Sequence, residues 1–310
     1  MHRTATGSGV TTAAALAAAV LCSAPAAAQD PVIRAEALVQ VSASSYVIPD
    51  DNVPLVPNVG IVIGTAATLV VDTGLGPRNG RTIRGVVDSL AEHETIYVVA
   101  THYHPEQSLG FAGMGEGARL VIPRVQEEEM AAGAGIRDAF ASRSALTAEL
   151  LAGVEYPSAD MPFDDEITLD LGGLTARVFA LGPLHTRGDT MVWIEEERVL
   201  FTGDVVMQDL FPAFAGEGGS VTRWLAVLDT LEALDPLVVV GAHTARGDGG
   251  LIGEWRAYFQ AVQSRVAELR AAGRTVDEAV EMVTAEMEAS RPGWRGANRV
   301  AGAVRAAWNE

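Results

Sequence analysis

The chain is 310 residues long and carries 40 acidic side chains against 22 basic ones, a formal net charge of −18. Every one of those basic side chains is arginine, so lysine Schiff-base chemistry is excluded. The acidity speaks against a nucleic-acid partner, whose phosphates need basic patches.

In chain order, a mildly basic Met1-His2-Arg3 precedes an Ala-rich apolar run from Thr12 to Cys22, then Ala26-Ala27-Ala28 and Gln29. That layout predicts a secretory signal peptide over 1–28, cleaved after Ala28, and an exported chain in the periplasm or outside the cell. The run is too short for a membrane anchor. Cys22, the single cysteine, lies inside it, so residues 29–310 offer no disulfide, thiolate ligand or cysteine nucleophile. Val32 to Ser45 reads as one or two strands. Val59 to Gly64 and Ala67 to Val71 read as a hairpin that Asp72-Thr73-Gly74 ends.

Arg78 to His93 has helical spacing, with Ile83, Val86, Val87 and Leu90 on one face. Ile96 to Ala100 and Leu120 to Ile122 are buried strands, and Arg124 to Gly153 is one or two amphipathic helices. Strands follow at Glu166 to Leu171, Leu174 to Leu181, Met191 to Glu195 and Val199 to Thr202. Then come a helix from Val221 to Leu234, a strand from Leu237 to Val240, and mostly helix from Leu251 on. Thr275 is a candidate N-cap, with Glu278 completing a capping box. Clustered strands with helices between and after them suggest two sheets with helices outside.

Four loops that follow strands carry ligand-type side chains. Thr101-His102-Tyr103-His104-Pro105-Glu106-Gln107 leaves the strand at Ile96 to Ala100. In an extended segment i and i+2 point the same way, so His102 and His104 can converge on one cation. The others are Gly182-Pro183-Leu184-His185-Thr186-Arg187-Gly188-Asp189, Phe201-Thr202-Gly203-Asp204 and Gly241-Ala242-His243. Imidazole and carboxylate without thiolate suit zinc, and also iron or manganese.

The order HxHx(acid), GPxHTxGD, L-F-x-GD, GxH resembles the metallo-β-lactamase superfamily, and Val70-Val71-Asp72-Thr73-Gly74 is similar to that family's V-D-T-G turn. The resemblance runs from about Val59 to His243. It implies an α+β fold, a four-layer αββα sandwich with the site at one edge of two packed sheets, followed here by C-terminal helices. It also implies that His102, His104 and His185 bind a first metal and that Asp204 bridges to a second. His243 would hold that second metal with Glu106 and Gln107, and Asp72 would orient the loop.

The family's usual H-x-H-x-D-H is here His102-x-His104-x-Glu106-Gln107. Glutamine is a weaker zinc donor than imidazole, so one tightly held zinc with a second metal weak or absent is expected. The implied activity is hydrolysis of a small-molecule ester, lactone, thioester or amide by a metal-activated hydroxide, with Asp204 and Glu106 in the catalytic centre. Alternatives are a periplasmic β-lactamase-like enzyme and a non-catalytic metal- or ligand-binding relative. Tyr103 and Arg187 are candidate substrate contacts, with Phe211, Phe214, Trp224 and Arg223 further candidates for the groove.

Overall fold

The computed structural model describes residues 1–2, 29–214 and 219–310, so nearly all of the expected signal segment lies outside the described residues. Strands β1 (Val39–Gln40), β2 (Ser45–Ile48), β3 (Val59–Ile63), β4 (Thr68–Val71), β5 (Ile96–Val99), β6 (Ala118–Pro123) and β7 (Met161–Phe163) form one sheet in that order. A second sheet holds β8 (Glu166–Asp170), β9 (Thr175–Ala180), β10 (Thr190–Ile194), β11 (Val199–Gly203) and β12 (Val238–Gly241), in the order β12-β11-β10-β9-β8. Helices are α1 (Gly76–Leu90), α2 (Pro105–Ser108), α3 (Arg124–Ala132), α4 (Ala134–Ala141), α5 (Ala145–Leu150), α6 (Val221–Glu232), α7 (Gly250–Ala271), α8 (Val276–Ser290) and α9 (Val300–Asn309).

Both sheets are covered on both faces, which is why their central strands read as continuous apolar runs. Adjacent residues enter opposite layers, as a period of two demands. Val62, Val71 and Val99 face Val178, Val192 and Phe201 of the other sheet. Their neighbours Ile61, Val70 and Val98 pack with Ile83, Val86 and Val87 of α1. On the far side, Met191, Trp193, Leu200 and Val239 meet Trp224 of α6 and Trp255 and Phe259 of α7. Each such burial contributes about 1.5–3 kcal/mol. The result is the four-layer αββα sandwich. The sheets close tightly at Gly60, where a Cβ would lie 2.3 Å from the Phe201 ring.

Val32 to Ser45 holds the short strand β1, preceded by a 3-10 turn at Ala35–Ala37, and ends where β2 begins, in keeping with the one or two strands expected. Two local features differ from the sequence expectation. The stretch 124–153 forms three helices, because the chain breaks at Gly133 and restarts at Ser144, whose hydroxyl caps α5. Strand β7 contains Pro162 and is an edge strand, where a missing N–H is tolerated. The capping box on α8 forms as expected: Thr275 N–H donates to Glu278 Oε2 at 2.8 Å, and Glu278 N–H to Thr275 Oγ1 at 3.3 Å. Among the described residues no helix is long and apolar enough to cross a membrane.

Topology gathers the ligand-type residues. Strands β4 and β5 are parallel, as are β11 and β12, so each pair delivers its C-terminal ends to one edge. Asp72, His102, Asp204 and His243 leave from those ends. Strand β10 runs antiparallel to β11, so the loop entering β10, which carries His185, lies at the same edge.

Candidate metal centre

His102, His104 and His185 present ring nitrogens that all lie within 4.8 Å of one another. His104 Nδ1 is 3.0 Å from His102 Nε2 and 3.4 Å from His185 Nε2. Asp204 joins them, with Oδ2 3.5 Å from His185 Nε2 and Oδ1 3.8 Å from His243 Nε2. Gln107 bridges to the same histidine, its Nε2 3.4 Å from His243 Nε2. Glu106 is buried on α2 beside them, and both Glu106 and Asp204 line the adjoining cleft. The structure therefore brings together His102, His104, His185, Asp204, His243, Glu106 and Gln107.

The outer nitrogens fix the tautomers. His185 Nδ1–H donates to the Ala213 carbonyl at 2.9 Å, and His243 Nδ1–H to the Val56 carbonyl at 3.0 Å. A carbonyl only accepts, so each Nε2 keeps its lone pair for the site. Thr101 Oγ1 donates to Asp72 Oδ2 at 3.0 Å, which leaves its oxygen to accept from His102 Nδ1 at 3.3 Å. His102 Nε2 is thus a lone pair as well, and it faces His104 Nδ1.

Such a cluster is uncomfortable without a cation. Burial, then the neighbouring His104, pushes the His102 imidazole well below its usual pKa. Burial and His185 lower His104 to about 3. The rings stay neutral, with lone pairs converging. Burial would raise the Asp204 carboxyl, but the positive charge that His185, His243, His102 and His104 carry when protonated in acid outweighs it and holds the group below the usual range. Burial pushes Glu106 up to about 8. Glu106 Oε2, Gln107 Oε1 and Asp204 Oδ1 are buried without a hydrogen-bond partner. Buried polar atoms are rarely left so, and neutral imidazoles with carboxylates are the donors a divalent metal takes. The residues fit a metal.

Further buried and half-buried groups hold these loops, and motif reading gave them no role. The Asp189 carboxylate accepts the N–H groups of Leu184, His185 and Thr186 and the Thr186 hydroxyl, wrapping the His185 loop around itself. Glu129 accepts the Arg187 and Gly188 N–H groups from α3. Asn58 donates to the Gly241 and Thr244 carbonyls at 2.8 and 2.7 Å, and Asp50 accepts the Thr244 N–H, pinning the His243 loop. Asp189 sits inside the quoted GPLHTRGD motif, and its spacing of four from His185 was the available signal. Asn58 and Asp50 are far from His243 in sequence and gave none.

The cleft over the centre measures about 670 Å³, and its walls include Asn52, Leu55, Phe140, Arg143, Arg295 and Arg299. Tyr103 and Arg187 are not among its lining. Tyr103 turns toward Tyr156, ring centroids 6.5 Å apart, and Arg187 pairs with Glu128 at 3.0 Å on the exposed surface. Phe211 and Trp224 are fully buried in the C-terminal core, Phe214 packs on the Trp224 ring, and Arg223 reaches the Leu181 carbonyl.

The arrangement has relatives. A metallo-beta-lactamase type 2 from Bacteroides fragilis is 24% identical over 203 residues, 64% of this chain and 73% of that protein. A metallo-beta-lactamase family protein from Thermus thermophilus superposes with a TM-score of 0.60 at 22% identity, over 86% of this chain and 93% of that one. The sec-alkylsulfatase Pisa1 from Pseudomonas sp. superposes with a TM-score of 0.64 at 16% identity, covering 88% of this chain but 49% of that one. The family model of the metallo-beta-lactamase superfamily matches residues 52–243, the span that holds every loop of the centre, and the chain belongs to that superfamily.

Proposed function

We propose that this protein is an exported, zinc-dependent hydrolase that cleaves an ester, lactone, thioester or amide. Superfamily membership supports a metal-dependent hydrolase in general terms. The observation that carries the reading is the meeting of three imidazole nitrogens, from His102, His104 and His185, with a buried, partnerless oxygen of Asp204 beside the cleft. His102, His104 and His185 would hold zinc, with Asp204 beside them. A bound zinc supplies Lewis acidity toward the carbonyl oxygen and brings water near neutral pKa.

The chain's own groups do the rest. Glu106 Oε2 is buried beside the site without a partner; burial keeps its carboxyl protonated up to about 8, a bound cation would favour its charged form, and in that form it could orient the attacking water and take its proton. Gln107 supports a single tightly held zinc with the second weak or absent. Its amide N–H points at the His243 Nε2 lone pair while His243 Nδ1–H is committed to Val56, so the imidazole is already engaged at both nitrogens. A second metal would have to break that contact and accept an amide oxygen instead of an imidazole.

The test is metal content and turnover of protein taken from the periplasmic fraction, where the mature chain should begin at Gln29. About one zinc per chain, with hydrolysis in a panel of esters, lactones, thioesters and β-lactams, is expected. No metal after incubation with zinc, iron or manganese would overturn the hydrolase and leave a non-catalytic relative. Turnover of β-lactams alone would select the β-lactamase-like reading, which the similarity to the Bacteroides fragilis enzyme supports. Within the hydrolase reading, Glu106→Gln should lower kcat/KM by about 100-fold or more at unchanged zinc content. Parallel loss of rate and zinc would make Glu106 a ligand instead of a base.

A further inference from the structure

The wall of the cleft comes partly from chain beyond the family-matched span. Residues 295–299 follow α8 and are zipped onto the loop after β11: Phe211 N–H donates to the Arg295 carbonyl at 3.0 Å, and Arg295 N–H to the Asp209 carbonyl at 2.9 Å. The same loop supplies the Ala213 carbonyl that holds His185. Arg295 is therefore fixed relative to the metal centre by main-chain pairing, and Arg299 follows in the same turn through its N–H to the Gly296 carbonyl. Arg295 donates to Asn52 Oδ1 at 2.7 Å, and Arg299 to the Phe211 carbonyl at 3.4 Å. In the same cleft, Arg143 lies with its guanidinium carbon 3.8 Å from the centroid of the Phe140 ring, which is itself 6.1 Å from the His104 ring.

These three guanidiniums share one cleft, and none forms an ion pair among the described residues. Eleven other arginines do, as expected in a chain with 40 acidic groups. None of the three carboxylates in the cleft forms an ion pair with the three cleft arginines, although Arg143 acts on Glu106 electrostatically. Asp50 accepts the Thr244 N–H, and Glu106 and Asp204 belong to the metal centre. A guanidinium has five N–H donors in a planar fork, so one amide or carbonyl partner leaves most of Arg295 and Arg299 free.

We propose that the cleft takes a substrate with a terminal oxyanion, a carboxylate or sulfonate, held by Arg143, Arg295 and Arg299 while its scissile carbonyl lies at the metal centre. This rests on the hydrolase reading of that centre. The three arginines select substrates by charge: a neutral analogue leaves each guanidinium without its match, whereas an oxyanion receives paired, charge-assisted hydrogen bonds. They also give an acidic protein a local attraction for an anion at its cleft.

Calorimetric titration with glutarate, propane-1,3-disulfonate and the neutral glutaramide tests this on the full chain, both chelated and zinc-loaded. One of the two anions should bind at least about tenfold tighter than glutaramide in both forms, and the tighter one identifies the headgroup. Arg143→Gln, Arg295→Gln and Arg299→Gln should each weaken that anion about tenfold. Arg246→Gln, an exposed arginine on a neighbouring cleft, should bind it as the unaltered chain does. Equal binding of anions and amide, or variants indistinguishable from the unaltered chain, would overturn the proposal. Arginine-dependent anion binding in a protein that takes no metal would sink the hydrolase and keep the oxyanion site.

Discussion

His104→Ala should abolish tight metal binding and lower kcat/KM at least about a thousandfold, about 4 kcal/mol of transition-state stabilisation. His104 is the hinge of the cluster, since its Nδ1 is the atom that lies near both His102 Nε2 and His185 Nε2. Without it His102, His185 and Asp204 remain but lose the donor that lies between the two rings, so the three are no longer drawn onto one cation. The same substitution should change the stability of the chelated protein far less than its zinc affinity, because without a cation His104 supplies only its ring contacts to His102 and His185. With zinc at about a thousand times its Kd the unaltered chain gains about 4 kcal/mol, and its Tm rises by several degrees. The variant should show no such rise. Thermal melts with and without zinc, beside metal analysis, check both halves. A zinc-induced rise that survives in the variant would remove His104 from the ligand set.

The centre was legible because its ligands are side chains of distinctive type placed where strands end. Four short runs, each an apolar strand closing on His or Asp, mark His102, His104, His185, Asp204 and His243 as ligand candidates, and the family resemblance carried by their order implies one edge. The sandwich was legible for a related reason: Ile61-Val62, Val70-Val71 and Val98-Val99 are apolar on both faces, which requires layers on both sides. The groups that orient the imidazoles were not, because two of them are the backbone carbonyls of Val56 and Ala213, which carry no residue-type signature. The cleft walls were equally silent. Arg143, Arg295 and Arg299 come from three places in the chain and resemble any surface arginine until the 209–211 and 295 main chains pair. Arg187, inside a motif, looked the better candidate, but Glu128 of α3 captures it.

Asp72→Ala should cost stability and metal affinity together, and Asp72→Asn should lose the same affinity at a smaller cost in stability. Asp72 closes β4 with φ at +63°, a left-handed conformation that Asn tolerates and Ala does not. Its buried carboxylate accepts the Thr101 N–H at 2.7 Å and the Thr101 hydroxyl at 3.0 Å. Burial pushes its carboxyl well up, while those two donors pull it back toward the charged form. Thr101 in turn contacts His102 Nδ1, so the carboxylate sets the imidazole through one hydroxyl. Gly203 closes the other side, since a Cβ there would lie 2.8 Å from Thr101 Cβ. Alanine leaves two buried donors unpaired and adds backbone strain, a loss of about 2–5 kcal/mol. Asparagine keeps the backbone and one acceptor but sets its NH₂ against a Thr101 donor, so about 1–3 kcal/mol is expected. Both variants should bind zinc about 10–100-fold more weakly, since neither holds Thr101 as an acceptor for His102. Denaturant melts of chelated protein measure the first quantity and competition with a zinc chelator the second. If Asp72→Asn loses stability at unchanged zinc affinity, Asp72 braces the β4 turn and does not orient His102.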